Sequence, residues 1–287
     1  MQIIQLVEQL SQRFIIAGVE NAKRVAEELV ADLLETSPLG IYLISQPFPE
    51  EKQAVLELLS LRIEQGEPLQ YVVGHVDFRG VKIRCDTRAL IPRPETEMLV
   101  EELLNAPIWN ADAPRIADVG TGSGCIVLAL AMEHPEAKFI AVDLSKDALD
   151  LAQENAKYLD LAEQIQWKQG SLLSGFAPAS LDAVVANLPY ISPDDWRELA
   201  PCVRDYEPKM ALECGHLGME LIEQLVDQAR SVLCPDGMLF LEYGYNQGSA
   251  VSQCLKTFGY RDVQIKCDLA GHDRMAIAVN PPARLPN

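Results

Sequence analysis

The chain has 287 residues, 48% hydrophobic and 23% charged, a balance that suits one large domain or a main domain with a smaller companion. Its 42 acidic and 24 basic side chains leave a net charge of −18, which repels phosphate backbones and argues against direct nucleic-acid binding. No apolar run approaches the roughly 20 residues that cross a bilayer, and residues 1–5 lack the features of a secretion signal, so a cytoplasmic, membrane-free protein is expected.

Residues 1–66 read as a helical N-terminal domain. Val25, Leu29, Val30, Leu33 and Leu34 make a helical stripe over 20–34, ended by Pro38 and Gly40. A second stripe over 50–65 carries Val55, Leu56, Leu58, Leu59, Leu61 and Ile63, with Gly66 as the stop. These helices hold no paired His, Cys or carboxylate constellation, so substrate docking is the expected role. Residues 67–92 change character. The β-rich words 71–73 and 81–85, punctuated by Gly74 and Gly80, predict a β-hairpin linker. Pro92 and Pro94 then flank Arg93, and Glu95 and Glu97 open a helix that runs to Leu104.

Residues 93–287 read as the catalytic domain. From Arg115 on, strands over 115–119, 138–142, 165–168, 182–187, 237–243, 262–267 and 274–279 alternate with helices near 123–133, 146–157, 193–200, 217–233 and 247–257. That alternation predicts an α/β fold, a Rossmann-like, mainly parallel sheet, with the last two strands as an antiparallel edge. Residues 281–286 read as a loose tail. The seven cysteines are scattered, with no Cys-x-x-Cys pair, and read as mostly buried reduced thiols rather than disulfides or a metal site. A monomer is the expected state.

Two places carry chemistry. The first is Gly120-Thr121-Gly122-Ser123-Gly124, which links an apolar strand to an apolar helix. Such a turn brings backbone close to a ligand at the carboxyl edge of a sheet. Its spacing is G-x-G-x-G, not the G-x-G-x-x-G of dinucleotide sites. Asp143 ends the next strand, where a carboxylate accepts hydrogen bonds from two ribose hydroxyls. S-adenosyl-L-methionine and NAD both offer a ribose, so Asp143 alone does not separate them. After the third strand, Leu172 is expected to pack on an adenine face, with Ser171 or a backbone N–H at its edge.

The second place is Asn187-Leu188-Pro189-Tyr190, at the end of the fourth strand. Pro189 pushes Leu188 toward extended backbone and so aims the Leu188 carbonyl. That oxygen and the Asn187 side-chain oxygen form two acceptors for the two hydrogens of an NH2 group, and Tyr190 is expected to offer a flat face. An amide nitrogen is a poor nucleophile, and acceptors on both of its hydrogens favour positive charge developing there. The motif holds no His, Cys or Lys, so neither a covalent intermediate nor a strong base is expected. A cofactor turn and an amide grip together suggest methyl transfer to nitrogen.

These residues resemble the release factor glutamine methyltransferases, the PrmC or HemK family. The likeness also covers the 68–80 segment with Gly74, Phe78 and Gly80, residues 90–97, Glu207-Pro208 with Ala211, Leu212 and Gly215, Leu241-Glu242 with Gly244, Gln247 and Gly248, and 268–271 with Asp273-Arg274. The resemblance implies methylation of the glutamine in the Gly-Gly-Gln tip of peptide-chain release factors, with S-adenosyl-L-methionine as donor. It implies cofactor contacts at Gly120 to Gly124, Asp143, Leu172 and Asn187, and the glutamine on Asn187, Leu188, Pro189 and Tyr190. The family commonly has proline at the position of Leu188 and an acidic residue at that of Ser171, and 214–218 departs from its usual glycine-rich pattern. Two alternatives stay open, a glutamine methyltransferase of a large-subunit ribosomal protein and an RNA or DNA adenine N6-methyltransferase.

Overall fold

The computed structural model describes residues 1–215 and 217–282; the expected tail lies outside the described residues from Ala283 on. In chain order the elements are α1 (Ile3–Ile16), α2 (Ala22–Leu33), α3 (Glu50–Glu64), α4 (Leu69–Val73), β1 (His75–Phe78), β2 (Val81–Arg84), α5 (Pro94–Leu104), β3 (Arg115–Val119), α6 (Cys125–Glu133), β4 (Lys138–Asp143), α7 (Lys146–Tyr158), β5 (Ile165–Gln169), β6 (Leu181–Asn187), α8 (Pro193–Glu198), α9 (Pro201–Arg204), α10 (Glu220–Val232), β7 (Leu233–Glu242), α11 (Gly248–Thr257), β8 (Arg261–Cys267) and β9 (Asp273–Val279). They form two compact units. The first is 1–75 with 200–206, and so runs past the expected boundary at Gly66 and gains a second segment; the other is 76–199 with the chain from Glu207 on. No helix among the described residues is long and apolar enough to cross a membrane.

The first unit packs its helices around Ile3, Val7, Leu10, Phe14, Leu29 and Ile63. Residues 71–73, expected as a strand, are helical instead. Pro68 precedes the first turn, Leu69, Tyr71 and Val72 face inward, and left-handed Gly74 closes the end. The Arg62 guanidinium also donates to the carbonyls of Tyr71 and Val72, both at 3.3 Å, and so satisfies acceptors that a helix end leaves open. Burial and this cap outweigh the strand preference of the two valines. The hairpin is therefore β1 with β2, turned by Arg79 and Gly80, both at positive φ.

The second unit is built on a seven-stranded sheet of order β5-β4-β3-β6-β7-β9-β8, with β9 antiparallel to both of its neighbours. The pleat sends Ile116, Val185 and Phe240 to one face, under α5 and α6, and Ala117, Val184 and Leu239 to the other, under α10 and α11. β3 and β6 run parallel, and the order of strand addition reverses between them, which opens a crevice at their carboxyl ends. The predicted helix 193–200 stops at Glu198, where Leu199 turns to extended backbone, and Pro201 keeps Ala200 extended as well.

Register fixes the rest. Val119 sits opposite Val142 on one side and Ala186 on the other, and Asn187 is opposite Glu242. One step further along, Asp143, Gly120, Asn187 and Glu242 form a row across the sheet edge, with strands about 4.8 Å apart.

Candidate functional site

A cavity of about 280 Å³ opens above this row, inside the second unit. Its wall includes Gly120, Thr121, Gly122, Ser123, Asp143, Ser171, Leu172, Asn187, Leu188 and Pro189. The structure therefore brings most of the expected site residues together; Gly124 and Tyr190 are not on the wall. At Gly124 an added Cβ would lie 3.1 Å from Ala152 Cβ and from Leu128 Cδ1, so this glycine serves helix packing.

Gly120 has φ 75°, and a Cβ there would come within 2.9 Å of Leu188 Cδ2, so the turn needs a residue with no side chain. The amides of Gly120 and Thr121 donate to Val142 O at 2.8 and 3.0 Å, and Gly122 N donates to Asp143 Oδ2 at 2.9 Å. With these amides engaged the turn is a poor phosphate cradle, which fits a ligand without a pyrophosphate better than a dinucleotide. Asp143 Oδ1 accepts from Ser145 N at 2.8 Å. Burial raises the Asp143 carboxyl above its ordinary range, against the hydrogen bonds from Gly122 and Ser145. Each of its oxygens accepts one backbone amide and keeps a spare lone pair. Beneath the turn, Asp118 Oδ2 accepts from Thr121 Oγ1 and Val127 N, while Asp118 Oδ1 and Ser123 Oγ are buried without a partner. Burial pushes the Asp118 carboxyl up to about 7. Leu172 is buried at φ 49°, a backbone region that costs a non-glycine residue roughly 1–3 kcal/mol. Space and a half-buried carboxylate together fit an adenosine-bearing cofactor.

At the other end of the row, Asn187 Nδ2 donates to Thr96 Oγ1 at 3.1 Å, and Thr96 Oγ1 donates to Glu242 Oε2 at 2.7 Å. Thr96 and Glu242 are both buried, at 2% exposure each. Asn187 Oδ1 and the Leu188 carbonyl take no hydrogen bond from the described residues. Burial pushes the Glu242 carboxyl up to about 7, opposed by Thr96, Arg274 and the Asn187 amide and assisted by Glu95. Tyr190 is half-buried. Its ring packs toward Gly244 and the core beneath α10, and its carbonyl accepts from Gln247 Nε2 at 3.1 Å. Burial raises its phenol to about 12.

Sequence reasoning missed the opposite wall. Residues 88–93 and Thr96 line the cavity, as do Pro208, Met210, Ala211 and Glu213. Buried Glu207 ties these two stretches together by accepting from Ile91 N and from the Arg93 guanidinium. The Pro92-Arg93-Pro94 run, a stiffened loop ahead of a helix, was the available signal.

Residues 5–74 match the family described as PrmC N-terminal domain, and residues 116–206 match that described as Methyltransferase domain. A release factor glutamine methyltransferase of Enterococcus faecalis is 38% identical over 234 residues, 81% of this chain and 82% of that protein. One from Rhodopirellula baltica is 34% identical over 95% of this chain and 94% of its own length, and one from Cereibacter sphaeroides 35% identical over 94% and 96%. A solved methyltransferase from Pyrococcus furiosus shares the fold at a TM-score of 0.52 and 15% identity, covering 70% of this chain and 90% of that one.

Proposed function

The chain belongs to the release factor glutamine methyltransferases, and from that membership we infer that the cavity at its sheet edge is where a release-factor glutamine is methylated. The enzyme uses S-adenosyl-L-methionine, which when bound supplies an electrophilic methyl group. Asp143 would hold the ribose hydroxyls, Gly120 to Ser123 leave room for the cofactor, and Leu172 and Ser171 lie where its base is expected.

Asn187 Oδ1 and the Leu188 carbonyl accept the two hydrogens of the substrate carboxamide. This fixes the nitrogen in place and stabilises the positive charge it gains during attack. Pro189 stiffens the Leu188 carbonyl, and Tyr190 anchors the strand end through its packed ring and its bond from Gln247. No His or Lys lines the cavity among the described residues, so the surplus proton leaves to water. The substrate glutamine is that of the Gly-Gly-Gln tip, the helical unit is the docking surface for the release factor, and the protein works as a cytoplasmic monomer.

The observation that carries this reading is the tied Asn187 amide, with its oxygen uncommitted at the cavity. The test is incubation with labelled S-adenosyl-L-methionine and purified release factor, followed by peptide mass spectrometry. One methyl on the tip glutamine is expected, with roughly 10²-fold or greater loss of kcat in Asn187→Ala, as for removal of one preorganised polar contact. Label on any other residue, or an Asn187→Ala enzyme of near-normal rate, overturns it.

A further inference from the structure

We propose that Thr96 and Glu242 are positioning residues that set which way the Asn187 amide faces, and so decide whether the acceptor site presents an oxygen or an NH2 group to the substrate. This rests on the reading of the cavity given above and names how its acceptor half is held.

The geometry leaves one arrangement. Asn187 and Glu242 are direct neighbours on β6 and β7, and the pleat turns both side chains to the face under α5. Thr96, in the first turns of α5, sits at that face and touches both. A hydroxyl has one proton, and that of Thr96 is given to Glu242 Oε2 at 2.7 Å. Towards Asn187 the Thr96 oxygen can therefore only accept. An amide presents donors on nitrogen and acceptors on oxygen, so Nδ2 must face Thr96, as found at 3.1 Å, and Oδ1 is the end left for the substrate. A carboxamide substrate brings two donors; it matches Oδ1 and is repelled by a flipped Nδ2.

The chain of bonds starts at the carboxylate and depends on its charge. Protonated Glu242 can donate to Thr96, which releases the Thr96 proton toward Asn187 and makes the flipped amide the better partner. Around Glu242 the charged groups are Glu95 on α5 and Arg274 on β9, and the neutral titratable ones are Tyr190 and Cys125. Burial raises the Glu242 carboxyl into the range where this change falls near neutral pH. Without such a role, a buried carboxylate in this position is an expense that an apolar side chain would avoid.

The test compares wild type, Thr96→Val, Thr96→Ser and Glu242→Gln. Release-factor methylation is followed from pH 5.5 to 9, with cofactor affinity and thermal midpoint measured alongside. Thr96→Val keeps the shape but loses the relay, and its kcat should fall roughly 10²-fold with cofactor affinity within about twofold. Thr96→Ser, which restores the hydroxyl, should recover most of the rate. Wild-type kcat should fall below about pH 7 as Glu242 takes up a proton, and Glu242→Gln should remove that acid limb. A Thr96→Val enzyme with wild-type kcat, or a Glu242→Gln enzyme with the wild-type acid limb, overturns the proposal. If Thr96→Val loses cofactor affinity or folding, the Glu242→Gln pH profile decides alone. A wild type that leaves the release-factor glutamine unmethylated sinks the underlying reading and this proposal with it, whereas an active wild type with indifferent variants sinks only the latter.

Discussion

Glu242→Gln should make the protein's stability less sensitive to a rise from acid to neutral pH. The folded carboxyl has its midpoint raised from 4.5 to about 7, with burial as the largest cause. A raised carboxyl favours the folded state below its unfolded value, and that contribution is lost as pH rises through the folded value, so the window runs from about 4.5 to about 7. At pH 5.5 the folded group is protonated and the unfolded one mostly ionised; at pH 8.5 both are ionised. Integrating over this interval, Glu242 removes about 2 kcal/mol from the wild type, which glutamine, with the same shape and no titration, does not. For a unit of this size that is a shift of about 4–8 °C in midpoint. Asp118 titrates in the same direction, its carboxyl raised to about 7, but it is present in both proteins and cancels in the difference. The assay is denaturant unfolding of wild type and variant at pH 5.5 and 8.5. A wild-type-minus-variant difference that is the same at both values would show that Glu242 is not strained as a buried anion, and the reasoning would fail.

Leu188→Pro should keep the carbonyl proposed to grip the substrate, and so most of kcat, while losing about 1–3 kcal/mol of stability, because the Leu188 side chain is buried against the glycine turn; unfolding and methylation assays separate the two effects. Arg93→Ala leaves the Glu207 carboxylate, 1% exposed, without its cation; roughly 3 kcal/mol should be lost, cofactor affinity should drop as the 88–93 wall loosens, and added Glu207→Gln should recover part of the loss. Leu58→Glu with Leu61→Glu, at exposed positions of α3, should raise KM for intact release factor several-fold and leave methylation of a short Gly-Gly-Gln peptide unchanged; equal loss on both substrates speaks against a docking role for the helical unit.

What the sequence made legible is what local chemistry dictates. β3, β4 and β6 are buried on both faces, so they read as near-continuous apolar runs with clear ends, and their alternation with amphipathic helices gives the doubly wound order. Gly120, Asp143 and Asn187 each stand just past or at such an end, so the strand boundaries alone put them on one edge. Two details have a common source. Val72 and Val73 carry strand preference, yet inward packing and the Arg62 cap, both contributed by other parts of the chain, make them helical. Tyr190, the expected flat face next to Asn187, also packs toward Gly244 and the core under α10, which the motif alone does not show. In each case a partner remote in sequence decided the outcome, and a four-residue word carries no record of it.

The same limit explains why half of the acceptor site was invisible. Thr96 and Glu242 are 146 residues apart, and each alone reads as an ordinary helix-start threonine and an ordinary strand-end acid. Only the register that sets Asn187 opposite Glu242, with α5 laid over that face, turns them into a relay. The row of side chains at the sheet edge then divides by task. Asp143 is raised by burial and is proposed to offer lone pairs to cofactor hydroxyls, whereas Glu242 is raised by burial and is proposed to orient another group inside the protein. Both carboxylates weaken the fold when ionised, and both stand where a methyltransferase must hold something at a fixed angle. Among the described residues, stability given up along one edge of the sheet, with Asp118 beneath the glycine turn, is what a site built for positioning rather than for acid–base chemistry requires.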